Sequence, residues 1–170
     1  KKRFAMVIAA HNEEVVISEL VDSLKNMNYP NELYDTFVIA DNCTDNTANI
    51  AREHGAIVLE RTNKIEKGKG FALEWAFDKI FKMNKSYDAF CVFDADNVVD
   101  KNFLLEMNKH MCNGYRVIQG YIDTKNPFDI KAAQFDMVMN GLEICSGGLR
   151  NFNPRVMEKC FEIAGYPIEA

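Results

Sequence analysis

Two aspartates one residue apart, Asp94 and Asp96, follow directly on a short apolar run at residues 89–93. If the chain stays extended there, both carboxylates point to one side and Ala95 points to the other. Carboxylates this close repel one another unless a divalent cation neutralises them. Mg²⁺ or Mn²⁺ suits hard oxygen ligands and would bridge to a diphosphate, stabilising the charge that builds as that diphosphate leaves. The alternative for such a pair is a solvated acidic turn.

Polar residues also follow two earlier apolar runs, at residues 4–10 and 36–40. Asp41 could accept a hydrogen bond from a base or a ribose, or it could cap the next helix together with Thr44 and Asp45. His11 could cover the face of a nucleobase, or it could only satisfy the end of a strand. Local sequence leaves both alternatives open for each residue.

A loop rich in lysine and glycine, residues 63–70, precedes a segment of helical period. Glycines allow the backbone to approach a phosphate closely, and lysines such as Lys69 neutralise its charge. The spacing is not that of a P-loop. A solvated basic loop is the alternative interpretation.

The elements that must position these residues follow from the periodicity of the chain. Apolar runs rich in β-branched and aromatic residues lie at 4–10, 36–40, 56–60 and 89–93. Segments of helical period lie near 16–27, 44–55, 71–81 and 103–111, and a further strand is predicted at 115–122. This alternation predicts βαβ units on a parallel sheet. Because ligands of open parallel sheets bind beyond the carboxyl ends of the strands, the polar residues should share one edge.

Composition narrows the function classes. The 170 residues are 48% apolar, enough for one substantial core, and the formal charge of −5 argues against a nucleic-acid partner. The five cysteines are odd in number and form no C-x-x-C pair, which favours reduced thiols and a cytoplasmic protein. No stretch approaches the roughly 20 apolar residues of a membrane span.

Four motifs in order, "AAHNEE", "DNCTD", "GKGFALEWA" and "DADN", resemble the nucleotide-sugar-binding half of family 2 glycosyltransferases over roughly residues 3–129. The resemblance implies the GT-A fold, an α/β fold with a mostly parallel Rossmann-like sheet flanked by helices. It also implies a site for a nucleotide diphosphate sugar, expected to carry uridine, and for Mg²⁺ or Mn²⁺. Members of the family are often membrane-associated, so the resemblance implies a cytoplasmic protein that includes the cytoplasmic face of a membrane among its expected locations. Its residues would be Ala9, His11 and Glu13 at the nucleoside, Asp41 at the base, Lys69 near the diphosphate, and Asp94 and Asp96 at the nucleotide and metal.

The family's catalytic-base motif does not follow Asp129, so the catalytic residue stays unknown, and nothing places Asp123 or Asp129 in that role. An inverting displacement at the anomeric carbon needs a carboxylate that takes the proton of the acceptor, here a saccharide or a lipid. We predict a glycosyltransferase domain that inverts configuration when complete. The alternative is a nucleotide-sugar-binding module without turnover. A sugar-1-phosphate nucleotidyltransferase is a more distant alternative, because its glycine-rich loop is missing after the first strand.

Residues 132–166 resemble a segment of bacterial aspartyl-tRNA synthetases, a class II family. That resemblance implies that Asp136 and Glu143 match acidic positions near ATP and magnesium, and that Arg150 matches the arginine that grips the aspartate carboxylate. The second and third motifs of the class are missing. We therefore predict a fused or recombined chain, with a GT-A half-domain at residues 1–129. The appended segment, residues 130–170, would hold strands at 134–140 and 142–150 and a helix beginning at Asn153.

Overall fold

The structure, a computed structural model, describes residues 1–120, 134–139 and 142–148. Within them, four strands form a sheet of order β3-β2-β1-β4 in which all neighbours are parallel. The strands are β1 (Phe4–Ala10), β2 (Tyr34–Asp41), β3 (Ile57–Arg61) and β4 (Ala89–Asp94). The predicted α/β fold with a mostly parallel sheet is confirmed.

Helices connect these strands, as βαβ units require. Helix α1 (Ile17–Lys25) follows β1, and a 3-10 turn (Asn31–Leu33) leads into β2. Helix α2 (Thr47–Glu53) follows β2, α3 (Lys69–Phe81) follows β3, and α4 (Phe103–Cys112) follows β4. All four predicted strands and helices of this part therefore form, with boundaries that differ from the prediction by a few residues.

Strand β1 lies at the centre of the sheet, and its first five residues are wholly buried. Alternate side chains of β1 enter two core layers: Phe4, Met6 and Ile8 pack with α1, whereas Ala5 and Val7 pack with α3. Burial on both faces explains why β1 is a continuous apolar run instead of an apolar–polar alternation.

Each helix buries one stripe against the sheet. The stripe of α1 repeats every three or four residues and consists of Ile17, Leu20, Val21 and Leu24. The stripe of α3, on the opposite face of the sheet, consists of Ala72, Leu73, Ala76 and Ile80. Within the segment of helical period at 71–81, Ala76 and Ile80 are thus core residues, whereas Phe71 and Phe81 are 46% and 67% exposed and lie outside the core.

One predicted strand is wrong in the part that the structure describes. Residues 115–120 of the strand predicted at 115–122 form no strand. Val117 is 91% exposed and Tyr115 is 60% exposed, so these two side chains of the predicted strand are not buried against a sheet. A β-rich sequence becomes a strand only where neighbours cover it.

The described residues fall into two compact units, one that holds residues 1–118 and another that holds most of the two remaining strands. These strands, β5 (Gln134–Met139) and β6 (Leu142–Gly148), pair with each other. Both lie where strands were predicted, whereas the helix predicted to begin at Asn153 lies outside the described residues. The domain boundary at residue 129 stays a prediction. In the part of the chain that the structure describes, no helix has the length and apolar character to cross a bilayer.

Candidate functional site

The carboxyl ends of three strands meet at one edge of the sheet because their register is level. Ala10 of β1 lies opposite Ala40 of β2, and Ala9 lies opposite Asp94 of β4. Asp41 therefore ends one neighbour of β1 while Asp94 ends the other. Two of the predicted site residues lie on either side of β1, which contributes Ala9 between them.

The loops after β1 and β2 are joined by short hydrogen bonds. Asn12 adopts a left-handed backbone with φ of 57°, and its Oδ1 accepts from the backbone N–H of Thr44 at 2.8 Å. Asparagine tolerates this conformation better than most residues. The backbone N–H of Glu13 donates to Thr47 Oγ1 at 2.8 Å. These contacts hold Glu13, a predicted site residue, beside the start of α2.

His11 lies on this rim with its ring exposed. Its Nδ1 is 2.7 Å from the backbone oxygen of Asp41. Because a carbonyl oxygen only accepts, Nδ1 donates this hydrogen bond. His11 thus satisfies a strand end, as one of its two interpretations expects, and the contact also fixes the imidazole beside Asp41.

Asp41 forms a buried ion pair with Arg61, a residue that the sequence analysis did not single out. The Arg61 Nη1 donates to Asp41 Oδ1 at 2.7 Å, and the two side chains are only 4% and 9% exposed. Their positions face each other across β2 and β3, since Asp41 and Arg61 are register partners. Arg61 directly follows the predicted strand 56–60, which is the one signal that could have drawn attention to it.

Asp45 caps the amino end of α2, and Asp41 does not. Asp45 Oδ1 accepts from the Thr47 backbone N–H at 3.1 Å and from the Thr47 hydroxyl at 2.6 Å. Burial raises the pKa of Asp45, but hydrogen bonds from Thr47 and Glu14 outweigh it and lower the pKa below its ordinary value. Within the described residues, the Asp41 side chain bonds only to Asn42 and Arg61.

The chain turns immediately after Asp94 and does not stay extended. The backbone N–H of Asn97 donates to the carbonyl of Asp94 at 3.2 Å, which closes a turn over Ala95 and Asp96. Ala95 is 5% exposed and packs into the core. Asp94 and Asp96 are both exposed on either side of it. Burial of Ala95 therefore anchors the turn. The two carboxylates are exposed because the chain turns here, and not because alternate side chains of an extended strand point to one side.

Lys69, the first residue of α3, contacts this acidic turn. Its Nζ lies 2.6 Å from Asp94 Oδ1, and the two side chains are 40% and 56% exposed. Gly68 precedes the helix with φ of 106°, a backbone conformation that side-chain-bearing residues rarely adopt. The glycine lets the chain turn sharply from the loop into α3, so that Lys69 faces the end of β4.

The loop before Gly68 is held by Asn42 and Asn63. Asn42, left-handed with φ of 52°, accepts from the Asn63 backbone N–H at 2.9 Å. Asn63 Oδ1 in turn accepts from the backbone N–H groups of Ile65 and Glu66. Lys64 and Lys67 are exposed on this loop, as expected of a solvated basic segment.

The donor set of the acidic turn fits a hard divalent cation that keeps water or phosphate ligands, because it offers two exposed carboxylates. Among the described residues, no group of three or more histidine, cysteine or acidic side chains could enclose a metal by itself. A cavity of about 240 Å³ lies at the other edge of the sheet, beside Tyr34 and His54, and none of its lining residues is a predicted site residue.

The family model of glycosyl transferase family 2 matches residues 5–166. The chain belongs to glycosyl transferase family 2. The match includes all four motifs and continues past residue 129, where the motif resemblance ends. In this family 2 chain, Asp41 lies on one side of β1 at the carboxyl edge of the sheet, and Asp94, in contact with Lys69, lies on the other side.

Two proteins that are similar in sequence to this chain have names that indicate different activities. An aspartate–tRNA(Asp/Asn) ligase from Prosthecochloris aestuarii is 35% identical over 121 residues, covering 68% of this chain and 19% of the relative. The probable glycosyltransferase YdaM from Bacillus subtilis is 32% identical over 105 residues, covering 58% of this chain and 24% of YdaM. The family 2 chain thus spans about a fifth to a quarter of the length of these relatives. The ligase similarity extends well beyond residues 132–166.

Solved structures of glycosyltransferases share the fold. TarS 1–349 from S. aureus superposes with a TM-score of 0.56 at 17% identity, covering 70% of this chain and 39% of that chain. A mannosyltransferase from Pyrobaculum calidifontis, in complex with GDP-Man and Mn²⁺, gives a TM-score of 0.55 at 20% identity, covering 64% and 32%. At these identities the likeness shows that the family 2 chain has the GT-A fold.

Proposed function

We propose that this chain is the donor-binding part of a glycosyltransferase and binds a nucleotide diphosphate sugar at the carboxyl edge of its sheet. The observation that carries the proposal is the convergence of Asp41, Lys69 and Asp94 on that edge in a family 2 chain. One end of this edge offers a hydrogen-bond acceptor for a base. The other offers an ammonium and carboxylates for a diphosphate and its counter-ion.

Each proposed role matches the chemistry of the residue. Asp41 would bind the base, and Ala9, His11 and Glu13 would line the nucleoside pocket, with His11 fixed by its contact to the Asp41 carbonyl. Lys69 would donate to a phosphate oxygen. We expect a uridine nucleotide, as in the UDP-GlcNAc complex of S. aureus TarS, which has the same fold.

Asp94 and Asp96 would hold Mg²⁺ or Mn²⁺, which supplies positive charge to a departing diphosphate. The two side chains are exposed and flank the buried Ala95, so they reach solvent without disturbing the core. Lys69 lies against Asp94 and provides a second positive charge at the same point. The chain's own contribution is therefore to hold opposite charges close together before any ligand arrives.

A binding module without turnover is the second candidate. It is the alternative because the catalytic-base motif of the family does not follow Asp129, so no residue is assigned to take the acceptor proton. A transfer reaction needs a carboxylate in contact with the acceptor hydroxyl. We propose a cytoplasmic setting, including the cytoplasmic face of a membrane, for either function, since the cysteines Cys43, Cys91 and Cys112 are free thiols.

Calorimetric titration of UDP with and without Mn²⁺ tests the proposal. We expect Mn²⁺ to strengthen UDP binding about tenfold in the parent chain, and Asp96→Asn to lose most of that gain. Asp100→Asn is the matched control, because Asp100 is another exposed acid just beyond the turn. Equal UDP affinity in the presence and absence of Mn²⁺ would remove the metal from the proposal, and absence of UDP binding would end it.

A sugar-transfer assay on the same samples separates the two candidates. Release of UDP from UDP-glucose or UDP-GlcNAc that depends on an added saccharide or lipid acceptor indicates a transferase. Tight UDP binding without acceptor-dependent release indicates the binding module.

A further inference from the structure

The two aspartates of the acidic turn have different electrostatic partners. Lys69 Nζ lies 2.6 Å from Asp94 Oδ1, so this carboxylate is paired with an ammonium. Asp96 Oδ1 accepts a hydrogen bond of 3.3 Å from the neutral amide of Asn97. Among the ion pairs of residues 1–120, none includes Asp96. One carboxylate of the turn is therefore neutralised by the protein itself, and the other is not.

The contact between Lys69 and Asp94 is one that the protein can break easily. Both side chains are partly exposed, so water weakens the attraction between them. The charge of a lysine lies at the end of a flexible stem. Lys69 can therefore leave Asp94 for another anion within its reach, and no helix or strand has to unfold for this exchange.

The acidic turn binds a cation less well while Lys69 is paired with Asp94. Within the described residues, no third acidic, histidine or cysteine side chain joins the two aspartates in a metal-binding group. The affinity of such a site depends on the charge of its ligands. An ammonium beside Asp94 cancels about half of that charge and also repels the cation.

We propose that Lys69 couples the two ligands of the site. In the free protein Lys69 is the counter-ion of Asp94, and in the complex it transfers to the diphosphate and leaves Asp94 for the cation. The inference rests on the proposed function and adds to it an order of binding. The charges balance, because the ammonium exchanges one anion for another and the carboxylate exchanges one cation for another. The cation thus binds weakly before the nucleotide and more strongly after it.

The strength of this coupling is a measurable factor. UDP raises the affinity for Mn²⁺ by the same factor by which Mn²⁺ raises the affinity for UDP. One part of the factor comes from phosphate oxygens that bind the cation directly. The other part comes from the release of Asp94 by Lys69. Only the second part depends on Lys69, so a substitution of this residue separates the two.

The dissociation constant of Mn²⁺ is measured by the electron paramagnetic resonance signal of free Mn²⁺, without UDP and with saturating UDP. The same titration of UDP without protein corrects for Mn²⁺ that UDP binds in solution. Lys69→Met should strengthen Mn²⁺ binding about threefold to tenfold in the absence of UDP, because Asp94 loses its counter-ion. The coupling factor should fall from about tenfold in the parent to about threefold or less. A residue that only supports the fold would give weaker Mn²⁺ binding when it is replaced.

Two further variants separate the contact from the charge. Lys67→Met removes the same charge from an exposed position two residues earlier, and it should leave the dissociation constant of Mn²⁺ within about twofold of the parent. Lys69→Arg keeps a cation that can pair with Asp94, so its Mn²⁺ affinity should stay close to that of the parent. Calorimetric titrations of UDP with and without Mn²⁺ give the coupling factor a second time, from the nucleotide side.

Each outcome decides the inference. A folded Lys69→Met variant with unchanged or weaker Mn²⁺ binding overturns it, and so does an equal gain in Lys67→Met, which would show a general effect of charge. Lys69→Gln takes the place of Lys69→Met if the latter does not fold by circular dichroism. A parent whose coupling factor survives in Lys69→Met overturns the inference and leaves the proposed function intact. A parent that shows no coupling between UDP and Mn²⁺ overturns the proposed metal and the inference together.

Discussion

At the scale of single residues, the site depends on pairs of opposite charge that differ in burial. The Asp41–Arg61 pair is nearly sealed from solvent, whereas Lys69 and Asp94 are about half exposed. Solvent weakens an exposed pair, so Lys69 can exchange Asp94 for another anion at little cost. The buried pair cannot rearrange as cheaply, since either partner left alone would be an unpaired buried charge. The exposed Lys69–Asp94 pair suits ligand exchange, and the buried Asp41–Arg61 pair suits fixed orientation.

Replacement of Lys69 by methionine should weaken UDP binding about fivefold, corresponding to about 1 kcal/mol, because one cation near the diphosphate is lost. Binding of uridine, which has no phosphate, should hardly change. Lys67→Met is the control, since Lys67 is exposed on the same loop two residues away. The dissociation constants of UDP and uridine measure the effect. An equal loss for both ligands would show that Lys69 supports the fold and not the diphosphate.

At the scale of elements, the amino ends of β1 and β4 are joined by Asp88. Its Oδ2 accepts from the Arg3 backbone N–H at 2.7 Å, and its Oδ1 accepts from Lys2 Nζ at 3.1 Å. The hydrogen bond from the Arg3 N–H lowers the pKa of Asp88 below its ordinary 3.8, and Lys2 adds to the effect while partial burial opposes it. A single carboxylate thus connects the two strands at the edge of the sheet opposite to the proposed site.

The lowered pKa gives Asp88 a pH-dependent contribution to stability. Because the folded state favours the ionised form, the contribution is complete above pH 3.8 and is lost as the pH falls through the lower pKa of the folded state. Asp88→Asn should reduce the free energy of unfolding by up to about 1 kcal/mol at pH 7, a modest amount because the pair is exposed. Urea unfolding at pH 7 and pH 3 measures this difference, which should shrink at pH 3.

Asp78→Asn, a change at an exposed position of α3, is the control for Asp88. Its effect should be small at both pH values. If the Asp88 variant loses the same stability at pH 3 as at pH 7, ionisation of Asp88 does not account for the connection between β1 and β4.

At the scale of the whole molecule, the unit of residues 1–118 is held by two core layers that share the central strand β1. Met6 and Ile8 lie in one layer and Val7 lies in the other, all fully buried. A substitution in β1 therefore disturbs the core layer on the face of the sheet that the replaced side chain enters. The carboxyl edge depends on the same strand, because β1 aligns the ends of β2 and β4.

Ile8→Ala should destabilise the folded chain by about 2–5 kcal/mol, since the removed atoms leave a cavity in a fully packed layer. Val117→Ala, at a position that is 91% exposed, should change stability by less than about 0.5 kcal/mol. Thermal unfolding followed by circular dichroism compares the two variants with the parent. Similar melting temperatures for all three would contradict the two-layer core.

The sequence by itself determined the parallel α/β fold, the four strands and helices of residues 1–112, and the polar character of the strand ends. Periodicity of 3.6 and near-continuous apolar runs are local properties, so they are visible without knowledge of contacts. The strand predicted at 115–122 was wrong in residues 115–120, where Tyr115 and Val117 stay 60% and 91% exposed because no described strand lies beside them, and a sequence does not show which segments will be neighbours.

Only the tertiary structure decided which polar side chains meet. Arg61 reaches Asp41 across 20 residues and Lys69 reaches Asp94 across 25, through strand register and the turn at Gly68. The sequence showed Asp94 and Asp96 as a pair, but a closed turn and the burial of Ala95 set their exposure. Register and burial arise from packing between distant segments, and spacing along one chain does not contain that information.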